Sequence, residues 1–173
     1  MKAWHLKGAD MGIWVISGVA GSGKTSVAKA VAKELGWDFM DADDFHPDAN
    51  RAKMGSGRAL DEADREPWLV ALSEGLVDHK GGPLVLAFPG LRRAHRKRLE
   101  ESVEPRSMHW AVLEASLATV EARLDQRGGF FPIELAASQF KLRETEEGIQ
   151  VIDAEPPLDE VVHAALAWVA STR

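Results

Sequence analysis

The chain has 173 residues, 45% of them hydrophobic and 28% charged, with a formal net charge of −6. That size and balance describe one globular domain, residues 1–173, with room for a substantial core, and the acidic excess argues against nucleic-acid or anionic-membrane partners. There is no cysteine, so disulfides, thiol chemistry and Cys-ligated zinc are excluded; residues 1–10 hold no apolar signal region and no apolar run approaches a membrane span, so a cytoplasmic location is the default expectation.

In chain order, residues 12–17 (Gly-Ile-Trp-Val-Ile-Ser) read as a short buried strand. Directly after it stands Gly18-Val19-Ala20-Gly21-Ser22-Gly23-Lys24-Thr25, which matches the G-x-x-x-x-G-K-[ST] phosphate-binding loop at every fixed position. Glycines let the backbone N–H groups face the β- and γ-phosphates of a nucleotide. Lys24 supplies a positive charge there, and Thr25 offers a hydroxyl to Mg²⁺. Residues 25–35 follow as a helix with Val27, Ala28, Val31 and Leu35 on one face and Gly36 at its C-cap. Its N-terminus favours anions.

A second strand near 37–41 ends in Asp41-Ala42-Asp43-Asp44-Phe45-His46-Pro47. Alternation along an extended segment puts Asp41 and Asp43 on one side. One carboxylate is suited to Mg²⁺ and the other to orienting or deprotonating an attacking hydroxyl. His46, Asn50, Arg51, Lys53 and Arg58 follow as donors and cations for an anionic acceptor. The acidic turn 61–66 and Pro67 start a helix that carries Trp68, Leu69, Leu72 and Leu76 inward. Arg65 disfavours that helix end unless an anion partners it.

A third strand, 84–88, is followed by the basic run 92–98, which reads as a solvated helix face in an acidic protein. The fourth strand is 109–113, and Ser116 caps the next helix. Near the end of that helix, Arg123 and Arg127 lie one turn apart on one face, ahead of the Gly128-Gly129 pair. One arginine can lie against adenine and the other can neutralise the transferring phosphoryl group. The fifth strand is 149–153, and the last helix shows an apolar stripe from Leu158 to Val169. Alternating strands and helices predict a three-layer α/β/α fold around a parallel sheet. Residues 43–66 and 127–147 read as irregular insertions, for substrate binding and as a lid, where such folds bind ligands.

These clusters, in this order and spacing, resemble the gluconate kinase family of small P-loop kinases. The resemblance covers nearly the whole chain. It rests on Gly18 to Thr25, on the pattern running from Asp41 through His46, Pro47, Asn50, Lys53, Met54 and Gly57 to Asp61, Asp64, Arg65, Pro67, Trp68 and Leu69, and on Arg123-Leu124, Arg127-Gly128, Phe130 and Ser138-Gln139-Phe140. The family is similar to shikimate kinase and the nucleoside monophosphate kinases. It implies a five-stranded parallel sheet with a mobile lid, ATP and Mg²⁺ as cofactors, and phosphorylation of D-gluconate on its 6-hydroxyl; its members are commonly dimers. On that reading Gly18 to Lys24 hold the phosphates, Thr25 and Asp41 the metal, Asp43 the acceptor hydroxyl, Arg127 the moving phosphoryl group and Arg123 the adenine. His46, Lys53 and Arg65 take the acceptor. The chain departs from the family's usual Cys-Ser-Ala-Leu-Lys at Phe88-Pro89-Gly90-Leu91-Arg92, and from its Gly-His-Phe at Gly128-Gly129-Phe130. A kinase for another hydroxy acid or polyol, and an ATP-binding regulatory protein that has lost transfer, stay open from the residues alone.

Overall fold

The structure, a computed structural model, describes residues 11–127, 133–144 and 147–173. Five strands, β1 (Ile13–Ser17), β2 (Asp38–Asp41), β3 (Leu84–Ala87), β4 (Met108–Glu114) and β5 (Gln150–Asp153), form one sheet in the order β2-β3-β1-β4-β5. Every neighbouring pair is parallel, as the alternation of strands and helices predicts. Between them run α1 (Lys24–Leu35), α2 (Asp48–Gly55), α3 (Glu62–Asp78), α4 (Arg93–Val103), α5 (Leu117–Arg127), α6 (Ile133–Leu142) and α7 (Leu158–Ser171).

The central strand β1 is buried along its whole length, and strand alternation divides its side chains between two layers. Trp14 and Ile16 join the core under α1 and α7, while Ile13 and Val15 join the core under α3 and α4. A smaller cluster of Val19, Val120, Leu124 and Ala136 ties α5 and α6 to the loop after β1. Three tryptophans secure this packing with their indole N–H groups. Trp14 donates to Thr172 Oγ1 at 2.9 Å, Trp68 to the Ala42 carbonyl at 2.7 Å and Trp110 to Glu100 at 2.6 Å, which satisfies the polar edge of each large apolar ring. Among the described residues no helix is long and apolar enough to cross a membrane.

Both supposed irregular insertions are partly helical. Residues 43–66 hold a 3₁₀ turn (Ala42–Phe45), α2 and the start of α3, and residues 127–147 hold α6. α3 begins at Glu62, where Asp61 and Asp64 form a capping box that satisfies the first amides, so Pro67 falls inside the helix and not at its start. The basic run is a solvated face only in part, with Arg93 and Lys97 exposed. His95 and Arg96 are buried, because α4 packs against α3 and turns them toward carboxylates and carbonyls. Arg96 donates to the Gly90 carbonyl at 2.6 Å, and His95 meets Glu62 at 2.9 Å.

Candidate active site

The loop 18–25 leaves the carboxyl end of β1, at the point where connections run to either side of the sheet, the place where ligands settle in open α/β folds. Its backbone geometry requires glycine. A Cβ on Gly18 would lie 2.5 Å from Ser22 Oγ, and one on Gly21, at φ +79°, 2.9 Å from Leu124. Gly23 caps α1 at φ 95° without a side-chain hydrogen bond, so the first amides of that helix are left to an anion. Lys24 is buried and has no carboxylate or hydrogen-bond partner among the described residues. A buried, unpaired ammonium is costly, and a bound polyphosphate removes that cost.

Thr25 Oγ1 donates to Asp41 Oδ2 at 2.9 Å, and the other Asp41 oxygen accepts the Asp43 N–H at 3.0 Å. A hydroxyl and a carboxylate in contact beside the phosphate loop are the hard oxygen donors that Mg²⁺ takes while keeping water and phosphate oxygens for its other positions. Thr25 and Asp41 therefore fit the metal that the motif implies. Strand alternation does not relate Asp41 to Asp43, because β2 ends at Asp41 and Asp43 lies in the 3₁₀ turn that Asp41 caps.

A cavity of about 440 Å³ opens beside Lys24, between the 3₁₀ turn, α3, the segment after β3, and α6. Asp43, His46, Arg65, Arg92 and His95 line it, with Trp68, Phe88, Pro89 and Gly90 as its apolar wall. Among the described lining residues Asp43 is the one carboxylate. Arg51 donates to the carbonyls of Asp43 and Asp44, each at 3.1 Å, and to that of His46 at 3.2 Å. Arg51, which the sequence offers as a donor for the acceptor, lines the cavity and also clamps the turn that presents Asp43.

His46 stacks on Trp68 with ring centroids 4.4 Å apart. Burial is the main influence on its imidazole and pushes its pKa down to about 4, against the opposing pull of Asp43. Asn50 Nδ2 lies 3.4 Å from His46 Nδ1 and donates to the Asp64 carbonyl at 2.8 Å. An amide donor facing Nδ1 makes that nitrogen the acceptor and leaves the proton on Nε2, which is 3.9 Å from Asp43 Oδ1.

Arg65 has the partner that its helix position demands. Its guanidinium reaches Glu62 at 2.6 Å, and the same carboxylate lies 3.4 Å from Arg92 and 2.9 Å from His95. The His95 bond, seconded by Arg65, holds the Glu62 carboxyl below its usual range. Glu62 is a hub that sequence reasoning missed, since its three partners come from two helices. Lys53 departs from expectation. It is paired with Asp61 and Asp64 and lies outside the cavity wall, because the capping box of α3 sets two carboxylates directly against it.

A groove of about 600 Å³ lies on the other side of the loop, between Gly21, Ser22, Gly23 and the segment from Ala154 to Leu158. Arg123 lines it and donates to the Ala154 carbonyl at 2.7 Å and the Ser22 carbonyl at 3.4 Å. The backbone of Arg127 ends α5; its side chain, and all of Gly128, Gly129 and Phe130, lie outside the described residues.

The model of the AAA domain family matches residues 13–144. The Arabidopsis thaliana gluconokinase is 35% identical over 91% of this chain and 92% of its own length, and the thermoresistant gluconokinase of Escherichia coli K12 is 34% identical over 91% and 93%. The chain belongs to the gluconokinase family. A crystal structure of a gluconokinase from Sinorhizobium meliloti 1021 superposes with a TM-score of 0.83 at 35% identity, covering 95% of both chains. In this gluconokinase fold the phosphate loop lies between the groove that Arg123 lines and the cavity that Lys24 and Asp43 border.

Proposed function

We propose that the chain transfers the γ-phosphoryl group of Mg·ATP to the 6-hydroxyl of D-gluconate, giving ADP and 6-phospho-D-gluconate. The observation that carries this reading is the charge of the cavity: Lys24, Arg65 and Arg92 face it with Asp43 as the one carboxylate among the described lining residues. Such a wall favours an acceptor that is both anionic and polyhydroxylated. The gluconokinases similar to this chain agree with it.

Phosphoryl transfer asks the protein for positioning and charge more than for covalent chemistry. Lys24 and the loop amides hold the β- and γ-phosphates. Mg²⁺, held through Thr25 and Asp41, offsets phosphate charge when bound. Arg123 borders the adenine. Arg127, which ends α5, is assigned to the moving phosphoryl group. Arg65 and Arg92, aligned by Glu62, take the acceptor's carboxylate, and His46 offers its Nε2–H to an acceptor hydroxyl. Asp43 accepts the proton of the attacking hydroxyl as the new O–P bond forms and the bond to the ADP oxygen breaks. The homodimer implied by the family is part of the same reading, and light scattering tests it.

The direct test is ADP release from Mg·ATP with and without D-gluconate, with product mass. Gluconate-dependent ADP and one added phosphate are expected. ATP binding without turnover on gluconate, but with turnover on another sugar acid or polyol, overturns the assignment of the acceptor.

A further inference from the structure

Among the described residues, helix α6 makes one polar contact with the phosphate loop. Gln139 Oε1 accepts the Ala20 N–H at 2.7 Å. Around it Ala136 and Phe140 pack with Val19, Val120 and Leu124. Beyond the helix, the Glu144 N–H donates to the Leu91 carbonyl at 2.8 Å and the Glu144 carboxylate accepts the Arg93 N–H at 2.7 Å. The helix is thus seated on the loop and tied to the segment after β3 without help from any ligand.

The contact decides which way the carboxamide faces. The Ala20 N–H is a donor, so the oxygen must meet it, and the Nε2 end keeps two N–H donors. Nε2 has no hydrogen-bond partner among the described residues, and Gln139 lines the acceptor cavity together with Ala20, Lys24 and Asp43. Gly21, Ser22 and Gly23 border the base groove instead. A nucleotide running from groove to cavity therefore brings its terminal phosphate to the Ala20 and Lys24 end of the loop, next to Gln139.

We propose that Gln139 is a further catalytic residue of the phosphoryl transfer: with Oε1 latched on the Ala20 N–H, its Nε2 donates to an oxygen of the transferring γ-phosphoryl group. This rests on the kinase reading above. A fixed neutral donor aimed at oxygens where charge develops needs no reorganisation as the reaction proceeds, and removing one such donor costs roughly 10² in kcat or somewhat less for a single amide. No bond is made or broken at Gln139, and no proton leaves it.

Gln139→Ala and Gln139→Glu separate this role from a purely structural one. The glutamate carboxylate still accepts the Ala20 N–H, so the latch survives, but it cannot donate and it repels the phosphoryl oxygens. With Mg·ATP and D-gluconate, the expected order of kcat is wild type, then Gln139→Ala at least about tenfold lower, then Gln139→Glu lower still. The KM for gluconate and the affinity for Mg·ADP stay near wild type. A Gln139→Glu enzyme as fast as or faster than Gln139→Ala overturns the proposal and leaves a latch. So does a loss of Mg·ADP affinity that parallels the loss of kcat. If the wild type does not turn over gluconate, the acceptor assignment fails by itself. Gln139 is then judged by calorimetry: Gln139→Ala should weaken Mg·ATP several-fold and leave Mg·ADP unchanged, and an equal loss of both overturns the contact.

Discussion

The two ends of the site are built from different materials. At the nucleotide end the ligand-facing groups are backbone amides of a loop where Gly18 and Gly21 leave no room for a side chain, with one buried cation, Lys24, that has no partner of its own among the described residues. At the acceptor end the ligand-facing groups are side chains already paired with one another, as with Arg65, Arg92 and His95 around Glu62. The first end waits for an anion to complete its electrostatics. The second holds its cations around Glu62 without ligand, with more positive charge than that one carboxylate offsets, and supplies selectivity by where they are held.

Removing the unpaired cation is therefore expected to have the largest effect. Lys24→Ala should abolish turnover, because Arg123, which also contacts the loop, is held on the Ser22 and Ala154 carbonyls in the groove and does not line the cavity beside Lys24; kcat for ADP release measures this, with circular dichroism to show the fold retained. Substantial residual turnover would mean that the nucleotide end is not the electrostatic centre. Next, Asp43→Asn should cut kcat by at least about 10² while ATP still binds, since the amide cannot take the hydroxyl proton. Near-wild-type kcat with ATP binding intact would remove Asp43 from the role of base.

The difference between the two ends also explains what the sequence disclosed. A loop defined by glycine spacing is local, so residues 18–25, β1 and α1 could be read off the chain, as could the parallel order of strands and helices. Side-chain networks that join distant segments could not. Glu62 sits one residue into α3 and looks like helix-start chemistry, yet its partners include Arg92 and His95 from beyond β3. Lys53 looked free because its carboxylates, Asp61 and Asp64, come to it only once α3 is capped. Within the basic run at 92–98, His95 and Arg96 escaped the reading of a solvated face for the same reason, since their burial depends on the packing of α4 against α3. The sole local hint of the hub was Arg65 at an unfavourable helix position, which demanded an anion.

Glu62→Gln sharpens the comparison with an intermediate effect. The amide keeps the shape but weakens the hold on Arg65, Arg92 and His95, and a charge-assisted hydrogen bond at a partly exposed site contributes about 1 kcal/mol. The KM for gluconate should rise by roughly five- to tenfold and kcat should change little, by the same reasoning. A fall in kcat with KM unchanged would show that Glu62 serves the transfer step and not the placement of the acceptor.

The smallest effect concerns His46, and its sign follows from burial. Its pKa is lowered to about 4 in the folded chain, against about 6.5 when unfolded. Between those values the unfolded chain binds the extra proton and the folded chain does not, so stability falls as pH drops from about 6.5 toward 4 and rises again with pH through the same window. His46→Phe keeps a ring to stack on Trp68 and removes the titration. The variant is expected to lose fewer degrees of Tm than the wild type on going from pH 7 to pH 4.5, by a few degrees for a chain of this size. Activity should obey the same logic: a neutral imidazole throughout pH 6 to 8 means that His46 adds no inflection to the profile of kcat/KM there, and any inflection seen belongs to another group. If wild type and His46→Phe lose Tm in parallel on acidification, the folded and unfolded chains bind the His46 proton alike, and burial does not lower its pKa.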